Sequence, residues 1–336
     1  MRKELKDMKK LKSLGLIFLA TSLMLGFYAC EDDEPINQGN SIIPPTAPSR
    51  SIAEIAIADS RTDSMAVALD VANLNPIFEG PGAFTVFAPN NQAFVDVLAS
   101  DSTWNRISDI NVTALTNLLY YHVLSSKVMS TDLTDDTYGV TLNTQGTASK
   151  ERTVLEVDIT RGATLNNSAN ITVANLEATN GVIHVINEVL MPQNIVQIAL
   201  DDERFTSLVT ALSVFGDTLT GALSGAGPFT VFAPTNAAFQ RLLDSDTTWN
   251  SVRDIPRSTL KSVLEYHVIS GANARAVTLR QNQNLTTLNN LTLQVDLSSG
   301  AQLQTRSMAQ RNVNIIVTDV QGTNGVIHAV DEVLLP

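Results

Sequence analysis

The chain repeats one phrase almost unchanged, and this internal duplication limits its possible folds more than any other feature. The stretch GPGAFTVFAPNNQAF (Gly80 to Phe94) returns 145 residues later as GAGPFTVFAPTNAAF (Gly225 to Phe239). Solenoid repeats are far shorter, with periods of about 20–50 residues. The sequence therefore predicts two copies of one domain in tandem, over residues 51–192 and 193–336.

Three further pairs of phrases support the duplication. WNRISDI in the first copy matches WNSVRDI in the second, and YHVL matches YHVI. TNGVIHVINEVLMP ends the first copy and TNGVIHAVDEVLLP ends the second. The offset is 145 residues for the first two pairs and 144 for the third, so almost no insertion separates the copies.

Each copy is expected to begin with helices and to end in a sheet. Early helices are predicted over Asp63–Val71 and Thr206–Val214. FTVFAP predicts a strand that stops at its proline, and the Asn and Thr residues after it are suited to cap a helix. The fold class is therefore α+β.

A second helix and a closing hairpin complete the pattern. Apolar residues recur at helical spacing before His122 and, in the second copy, before His267. The C-terminal third of each copy is rich in β-branched residues and contains Asn180-Gly181 or Asn324-Gly325. An Asn-Gly pair predicts a type I′ hairpin turn, in which both residues take a positive φ.

The N-terminus is typical of an exported bacterial lipoprotein. A stretch with six Lys or Arg precedes the apolar run from Leu14 to Tyr28, which is shorter than the ~20 residues of a spanning helix. Ala29 and the only cysteine, Cys30, follow and resemble a lipobox, whose cysteine becomes the acylated first residue. We therefore expect a signal peptide over residues 1–29 and a lipid anchor on Cys30. An uncleaved signal anchor or a chance cysteine is the alternative.

Residues 30–50 are acidic and then rich in Pro, Asn and Ser, which predicts a flexible tether. The four acids after Cys30 resemble a surface-export signal of some Gram-negative lipoproteins, and solvated linker charge is the alternative. Residues 1–29 carry six basic and two acidic side chains, so their removal takes the formal net charge from −12 to −16. Such a surface argues against nucleic acid as a partner, because phosphate binding requires clustered Lys and Arg.

The FTVFAP, YHV and NGVIH phrases occur in the same order in both copies, and together they resemble fasciclin-type domains. The resemblance covers nearly all of residues 51–336. It implies that each domain is a β-sandwich or wedge of roughly seven strands with flanking α-helices. It also implies an extracellular, tethered protein that acts in cell adhesion or binds proteins or glycans without catalysis.

The resemblance further suggests candidate adhesion residues. In animal members of the family a Tyr-His segment is linked to integrin-dependent adhesion, and it corresponds here to Tyr121-His122 and Tyr266-His267. The Asp-Ile adhesion motifs of some animal members have only loose counterparts, at Asp109-Ile110 and Asp254-Ile255. This mismatch argues against simple transfer of the animal mechanism.

Other chemistry has little support in the sequence. The histidines are candidate metal ligands or buried core residues, and all of them lie in repeated phrases: His122, His184, His267 and His328. Because two of them lie on apolar helix stripes, we expect structural roles and neither a metal nor another cofactor. The chain has no HExxH, P-loop, CxxC or GxSxG pattern, so we expect no enzyme activity.

One loop changes its charge between the copies. The first copy has Asp132, Asp135 and Asp136, whereas the second has Arg275 and Arg280. Clustered Asp is compatible with calcium, but the EF-hand spacing is absent, and a solvated loop is the simpler expectation. The change of sign predicts that the two domains present different surfaces to their ligands.

These patterns predict a lipid-anchored protein at the outer membrane or surface of a Gram-negative bacterium. Its two fasciclin-like domains would bind an extracellular or envelope protein or a glycan, and two weak sites on one tether gain avidity. The alternative is a structural or accessory outer-membrane protein that supports an envelope or glycan-uptake complex.

Overall fold

The computed structural model of the 336-residue chain describes residues 47–134, 137–144, 151–159, 162–305 and 312–336. The predicted signal peptide, Cys30 and most of the predicted tether lie outside these residues, as do Asp135 and Asp136. Within the described ranges, no helix combines the length and the apolar character needed to cross a bilayer.

Each domain begins with a helical half, as expected. In domain 1 the helices are α1 (Ile52–Ala58), α2 (Asp63–Val71), α3 (Asn75–Glu79), α4 (Asn91–Ala99) and α5 (Val112–Tyr121). In domain 2 they are α6 (Ile195–Asp201), α7 (Thr206–Ser213), α8 (Asp217–Ser224), α9 (Asn236–Asp244) and α10 (Arg257–Tyr266). Short 3-10 helices cover Ile107–Asp109, Glu203–Phe205, Val252–Asp254 and Ala276–Thr278. Helix α2 has the predicted bounds, and α7 ends one residue before the predicted end.

Capping residues explain where the first helix of each domain begins. The Ser51 side chain accepts a hydrogen bond from the backbone N–H of Glu54, and the Glu54 carboxylate accepts one from the N–H of Ser51. Asn194 and Gln197 form the same reciprocal pair at the start of α6. Each pair satisfies backbone donors that the first helical turn leaves free.

The sheet half of each domain has seven strands in the described part of the chain, which confirms the expected strand number. Domain 1 contains β1 (Phe84–Pro89), β2 (Val123–Leu124), β3 (Thr137–Val140), β4 (Val154–Asp158), β5 (Thr164–Leu165), β6 (Ala169–Ala178) and β7 (Gly181–Ile186). Domain 2 contains β8 (Phe229–Pro234), β9 (Val268–Ser270), β10 (Asn284–Thr286), β11 (Thr292–Asp296), β12 (Gln302–Gln304), β13 (Val313–Gly322) and β14 (Gly325–Val330). The order is β2-β1-β7-β6-β5-β4-β3 in domain 1 and β9-β8-β14-β13-β12-β11-β10 in domain 2, so the two topologies are identical.

The two central strands separate two apolar clusters in each domain. β1 and β7 pair in parallel, and every residue of β7 is buried. Phe78, Val86 and Leu119 belong to the cluster under the helices, whereas Phe87 and Tyr121 belong to the cluster inside the wedge. A strand covered on both faces reads as a continuous apolar run, which explains the composition of FTVFAP and GVIHVI.

The predicted hairpin joins β6 and β7, but the predicted turn geometry is wrong. Ala178 pairs with Gly181, so the two loop residues are Thr179 and Asn180, and Asn180 does not take a positive φ. Gly181 is instead the first residue of β7. A Cβ atom there would lie 2.1 Å from the carbonyl oxygen of Phe84, so the close approach of β1 requires glycine.

Asn180 is needed because its side chain joins three segments of domain 1. Its Oδ1 accepts a hydrogen bond from the N–H of Ile52 at 2.9 Å, and its Nδ2 donates to the carbonyls of Phe78 at 2.7 Å and Gly80 at 2.8 Å. The side chain of Asn324 makes the same three bonds in domain 2, at 3.0, 2.7 and 2.8 Å. The repeated Asn-Gly pair therefore fixes helices α1 and α3 onto the sheet.

Candidate binding surface

The two Tyr-His pairs lie at the end of the last helix in each helical half. Tyr121 is the final residue of α5 and His122 is its C-cap, and Tyr266 and His267 have the same positions on α10. Tyr121, His122 and Tyr266 are 0% exposed and His267 is 2% exposed. The burial of both histidines, which their apolar stripes predicted, is confirmed.

Both ring nitrogens of His122 have backbone partners. Nε2 accepts a hydrogen bond from the N–H of Leu190 at 2.8 Å, so the neutral ring carries its proton on Nδ1 and donates it to the Leu118 carbonyl at 2.8 Å. Burial lowers the pKa of His122 to about 4, because the charged ring would lose its hydration. His267 has equivalent partners, and burial lowers its pKa to about 4 as well.

The tyrosines join the helical half to the sheet. The Tyr121 hydroxyl donates to the Val154 carbonyl on β4 at 2.9 Å and accepts from Nδ2 of Asn166 at 3.0 Å. The Tyr266 hydroxyl donates to the Thr292 carbonyl on β11 at 2.9 Å. Burial raises the pKa of the Tyr121 hydroxyl, since an ionised phenol is poorly solvated in the core.

The structure thus gives the four candidate adhesion residues a structural role. Their part in adhesion stays a prediction, and direct contact of these side chains with a partner would require the domain to open locally.

The other two histidines are also held by backbone atoms. Nδ1 of His184 accepts from the N–H of Asn175 at 3.3 Å and Nε2 donates to the Val128 carbonyl at 3.0 Å. His328 is bonded to Asp319 and Ala274 in the same way. All four histidines therefore use both ring nitrogens in hydrogen bonds. No group of three or more His, Cys, Asp or Glu among the described residues is placed to hold a metal ion.

The loosely matching Asp-Ile motif of domain 1 ends a 3-10 helix at the surface. The carboxylate of Asp109 accepts hydrogen bonds from the N–H groups of Asn105 at 2.9 Å and Arg106 at 3.1 Å. The bond from Asn105 is the main reason why the pKa of Asp109 lies below its usual range. Ile110 is 5% exposed and packs into the helical core. Asp109 is thus available at the surface while Ile110 anchors the motif.

Asp109 lies on the rim of a large groove in domain 1, which we call the domain 1 groove. Its volume is ≈ 690 Å³, and it is formed by α4, the 3-10 helix, the start of α5 and residues 188–191. Its apolar lining includes Val97, half-buried Trp104, Leu118, Val189 and Met191, of which Met191 is 59% exposed. The carboxylates in its lining belong to Asp96, Asp109 and Glu188. Asp109 is paired with Arg106 at 3.2 Å, so the groove combines an apolar lining with the negative charge of Asp96 and Glu188.

Domain 2 fills the matching position with a cation of its own. Asp96 corresponds to Arg241 in the repeated phrase, and Glu188 corresponds to Glu332. Nε of Arg241 lies 2.6 Å from Oε1 of Glu332, and Nη2 of Arg241 also donates to the carbonyl of Asp331. In domain 1 the same two positions carry two carboxylates. At this position the two copies thus differ in the residue that faces the glutamate, which is an arginine in domain 2 and an aspartate in domain 1.

No local pattern in the sequence predicts the domain 1 groove. Asp96 and Glu188 are far apart in the chain, and only the fold places both on one surface. The exchange of Asp96 for Arg241 inside an otherwise repeated phrase was the signal that could have pointed to it.

The loop that changes charge between the copies makes different contacts in the two domains. The carboxylate of Asp132 accepts a hydrogen bond from the N–H of Met129, and the other two Asp residues of that loop lie outside the described residues. Arg275 forms ion pairs with Glu151 and, at 3.7 Å, with Asp319. Arg275 therefore serves a contact between the domains, and the predicted difference between the ligand-facing surfaces stays a prediction.

Each domain is a helical half packed on a seven-stranded wedge, which defines the class of protein. The Fasciclin domain model matches the chain twice, over residues 60–192 and 203–336. The chain therefore belongs to the fasciclin domain family, and it contains two such domains in tandem. Membership in this non-enzymatic family confirms the expectation that the chain is not an enzyme.

Several known proteins are similar to this chain. Transforming growth factor-beta-induced protein ig-h3 of Sus scrofa is 29% identical over 320 residues, which cover 94% of this chain and 44% of that protein. Human periostin is 30% identical over 286 residues, or 80% of this chain and 30% of periostin. An uncharacterized protein of Synechocystis sp. is 36% identical over 142 residues, which cover 42% of this chain and 97% of that protein.

The chain spans 44% of the length of the ig-h3 relative, so it matches part of that protein only. Among solved structures, it is similar to a FAS1 domain pair from the insect cell adhesion molecule fasciclin I, with a TM-score of 0.47 and 17% identity. That similarity covers 84% of this chain and 96% of the insect chain.

Proposed function

We propose that this chain is a lipid-anchored envelope protein that acts in cell adhesion or extracellular binding through its two fasciclin domains. Cys30 would carry the lipid, residues 30–50 would form the tether, and residues 51–192 and 193–336 would form the two domains. The association of fasciclin domains with adhesion supports this function. The observation that carries it is the domain 1 groove, which is lined by Asp96 and Glu188 where domain 2 pairs its own Arg241 with Glu332.

The charge of the groove indicates the chemistry of its ligand. In domain 2 the position between α9 and the C-terminal segment holds the Arg241 guanidinium against Glu332 at 2.6 Å. In domain 1 Asp96 and Glu188 line the same position. A cation from a ligand would therefore meet two carboxylates there, where an arginine of the chain would otherwise lie.

The apolar lining of the groove indicates a second property of the ligand, namely apolar surface beside its cation. Trp104, Leu118 and Met191 offer apolar area beside the carboxylates, and Trp104 can also receive a cation on its ring face. A protein segment that carries Arg or Lys among apolar residues matches both properties. We therefore propose a basic, apolar protein segment of an extracellular or envelope partner as the ligand of domain 1.

Arrays of matrix proteins, basic peptides and glycans, probed with the full-length protein in detergent, test this function. We expect binding to basic protein segments, weakened at least tenfold in Asp96→Arg, because the new arginine can pair with Glu188 as Arg241 pairs with Glu332. Asp70→Arg makes the same charge change at an exposed position outside the groove lining and should bind normally. Equal binding by both variants, or binding to glycans alone, would refute the proposed ligand.

The accessory role is distinguished in cells. If the protein acts in adhesion, deletion should reduce surface attachment, and the Asp96→Arg protein should fail to restore it. If the chain instead co-purifies with an outer-membrane complex and attachment is unchanged, the accessory role is correct and adhesion is refuted.

A further inference from the structure

The two domains form one compact unit, and a tyrosine of domain 1 anchors their contact. Tyr138 lies on β3, the edge strand of the domain 1 sheet. Its hydroxyl donates to Oδ2 of Asp202 in domain 2 at 2.5 Å. Asp202 follows helix α6 directly, and its side chain is 0% exposed. A buried carboxylate needs such partners, so Tyr138 is part of what makes this position stable.

Arg204 holds the other side of the Asp202 carboxylate. Its Nε lies 2.9 Å from Oδ1 and its Nη2 lies 2.7 Å from Oδ2. The guanidinium carbon of Arg204 lies 5.3 Å from the centroid of the Tyr138 ring, within the range of a cation–π contact. Tyr138 thus contacts the Asp-x-Arg turn of domain 2 twice, by a hydrogen bond to Asp202 and by stacking on Arg204.

Apolar packing completes the contact. Val154 of β4 is 4% exposed and belongs to the main core cluster of domain 2, and Tyr138 packs against that cluster. Ile198 of α6, in the same cluster, is 2% exposed. The sheet edge of domain 1 therefore packs against the core of domain 2 and contacts the residue that follows its first helix.

Domain 1 carries the same turn at the same place. Asp59 follows helix α1 directly, and Arg61 comes two residues later. Nε of Arg61 lies 2.8 Å from Oδ1 of Asp59, and Nη2 lies 2.5 Å from Oδ2. The bidentate pair of domain 2 is thus already formed in domain 1, with a guanidinium fixed in position.

The turn of domain 1 is more exposed than that of domain 2. The side chains of Arg61 and Asp59 are 47% and 16% exposed, against 23% and 0% for Arg204 and Asp202. A depression of ≈ 370 Å³ lies beside the pair and is also lined by Ile55, which corresponds to Ile198.

We propose that the Asp59–Arg61 turn of domain 1 is a docking surface for the sheet edge of a fasciclin-type domain in another protein, with a tyrosine at the position of Tyr138. The phenol would donate to Asp59 and its ring would stack on Arg61, as Tyr138 does with Asp202 and Arg204. The surface is separate from the domain 1 groove and does not depend on the function proposed for it.

A second copy of this chain does not offer that edge. Its Tyr138 is held by its own domain 2. The edge strand of its domain 2 is β10. Asn284 on β10 pairs with Gln294, just as Tyr138 on β3 pairs with Glu156, so Asn284 has the position of Tyr138. That edge therefore lacks the phenol, and the partner must be a different chain.

The chain can be given the missing edge. Asn284 is exposed, and Thr292 corresponds to Val154, so the double variant Asn284→Tyr, Thr292→Val makes the edge of domain 2 like that of domain 1. Each molecule would then carry both an edge and a free turn. Such a head-to-tail contact builds open chains or closed rings, so larger species should form as the protein concentration rises.

Sedimentation of the full-length protein in detergent measures this. We expect the wild type to remain a monomer and the double variant to assemble. Adding Asp59→Ala and Arg61→Ala should abolish assembly, whereas adding Arg106→Ala, at another exposed arginine, should not. Asn284→Phe with Thr292→Val should assemble about tenfold more weakly, because it lacks the hydroxyl. Asn284→Tyr alone serves if the double variant does not fold.

Three outcomes would overturn the proposal. The first is a folded tyrosine variant that stays monomeric, and the second is assembly that survives loss of Asp59 and Arg61. The third is wild-type assembly that requires Arg61, since the occupant would then be a second copy. None of these outcomes depends on ligand binding in the domain 1 groove.

Discussion

The repeated asparagine of the β6–β7 turn permits a sharp test of what holds the helices on the sheet. Replacing Asn180 by alanine leaves the N–H of Ile52 and the carbonyls of Phe78 and Gly80 without their partners. A buried group without a hydrogen bond costs about 1–3 kcal/mol. The Gly80 carbonyl is only partly buried, so water can replace part of its loss. We expect the free energy of unfolding of domain 1 to fall by about 3–5 kcal/mol.

Urea unfolding combined with hydrogen exchange measures the loss and locates it. In Asn180→Ala the amides of α1 and α3 should lose protection first, because the lost bonds join these helices to the turn. Thr179→Ala changes the neighbouring exposed loop residue and should alter stability by less than about 0.5 kcal/mol. Asn324→Ala should reproduce the loss in domain 2. A loss below about 1 kcal/mol in Asn180→Ala would refute the reasoning.

Three further outcomes follow from burial, packing and the N-terminus. Folding lowers the pKa of His122 and His267 to about 4, so below pH 6.5 the unfolded chain binds protons that the folded protein does not. In urea titrations each histidine should therefore lower the free energy of unfolding by about 2 kcal/mol at pH 5. An unchanged free energy of unfolding between about pH 7.5 and 5 would contradict this. Leu223 of domain 2 corresponds to Phe78 of domain 1 and lines a cavity of ≈ 50 Å³. Leu223→Phe should fill this cavity and raise the free energy of unfolding of domain 2 by up to about 1.2 kcal/mol. A lower melting temperature would show that the new ring overpacks the site. Cys30→Ser should release the protein from membranes on fractionation, and an unchanged intact mass after delipidation would refute the anchor.

The duplicated interior could be predicted from the sequence because its signals are local or periodic. Helix α2, the strand ending at Pro89 and the buried stripe ending at His122 all follow from spacing within a few residues. The turn geometry could not be predicted, since the Asn-Gly pair indicates a type I′ turn in isolation. In the fold Gly181 is used for the close approach of Phe84, and Asn180 is used for its side chain, so tertiary contacts override the local preference.

The binding surfaces were harder to predict because each joins residues far apart in the chain. Asp96 and Glu188 meet only after α4 and the C-terminal segment pack together. Tyr138 and Asp202 belong to different domains, and Tyr138 does not lie in a repeated motif. The sequence signals of both surfaces are positions at which the two copies differ. Asp96 of domain 1 corresponds to Arg241 of domain 2, and Tyr138 corresponds to Asn284.

The two proposed surfaces should differ in their sensitivity to salt, and this separates them experimentally. Ligand binding in the domain 1 groove depends on charges that are exposed before the ligand arrives, and at about 1 M salt the screening length falls to about 3 Å. Docking on the Asp59–Arg61 turn depends on a hydrogen bond, ring stacking and apolar burial, while the ion pair it uses is already formed within domain 1. Binding of basic segments should therefore weaken at least tenfold between about 0.05 and 1 M salt, whereas assembly of the Asn284→Tyr, Thr292→Val variant should change by less than about threefold. If assembly is lost in parallel with groove binding, charge attraction and not the tyrosine drives it, and the comparison with Tyr138 in the domain junction fails.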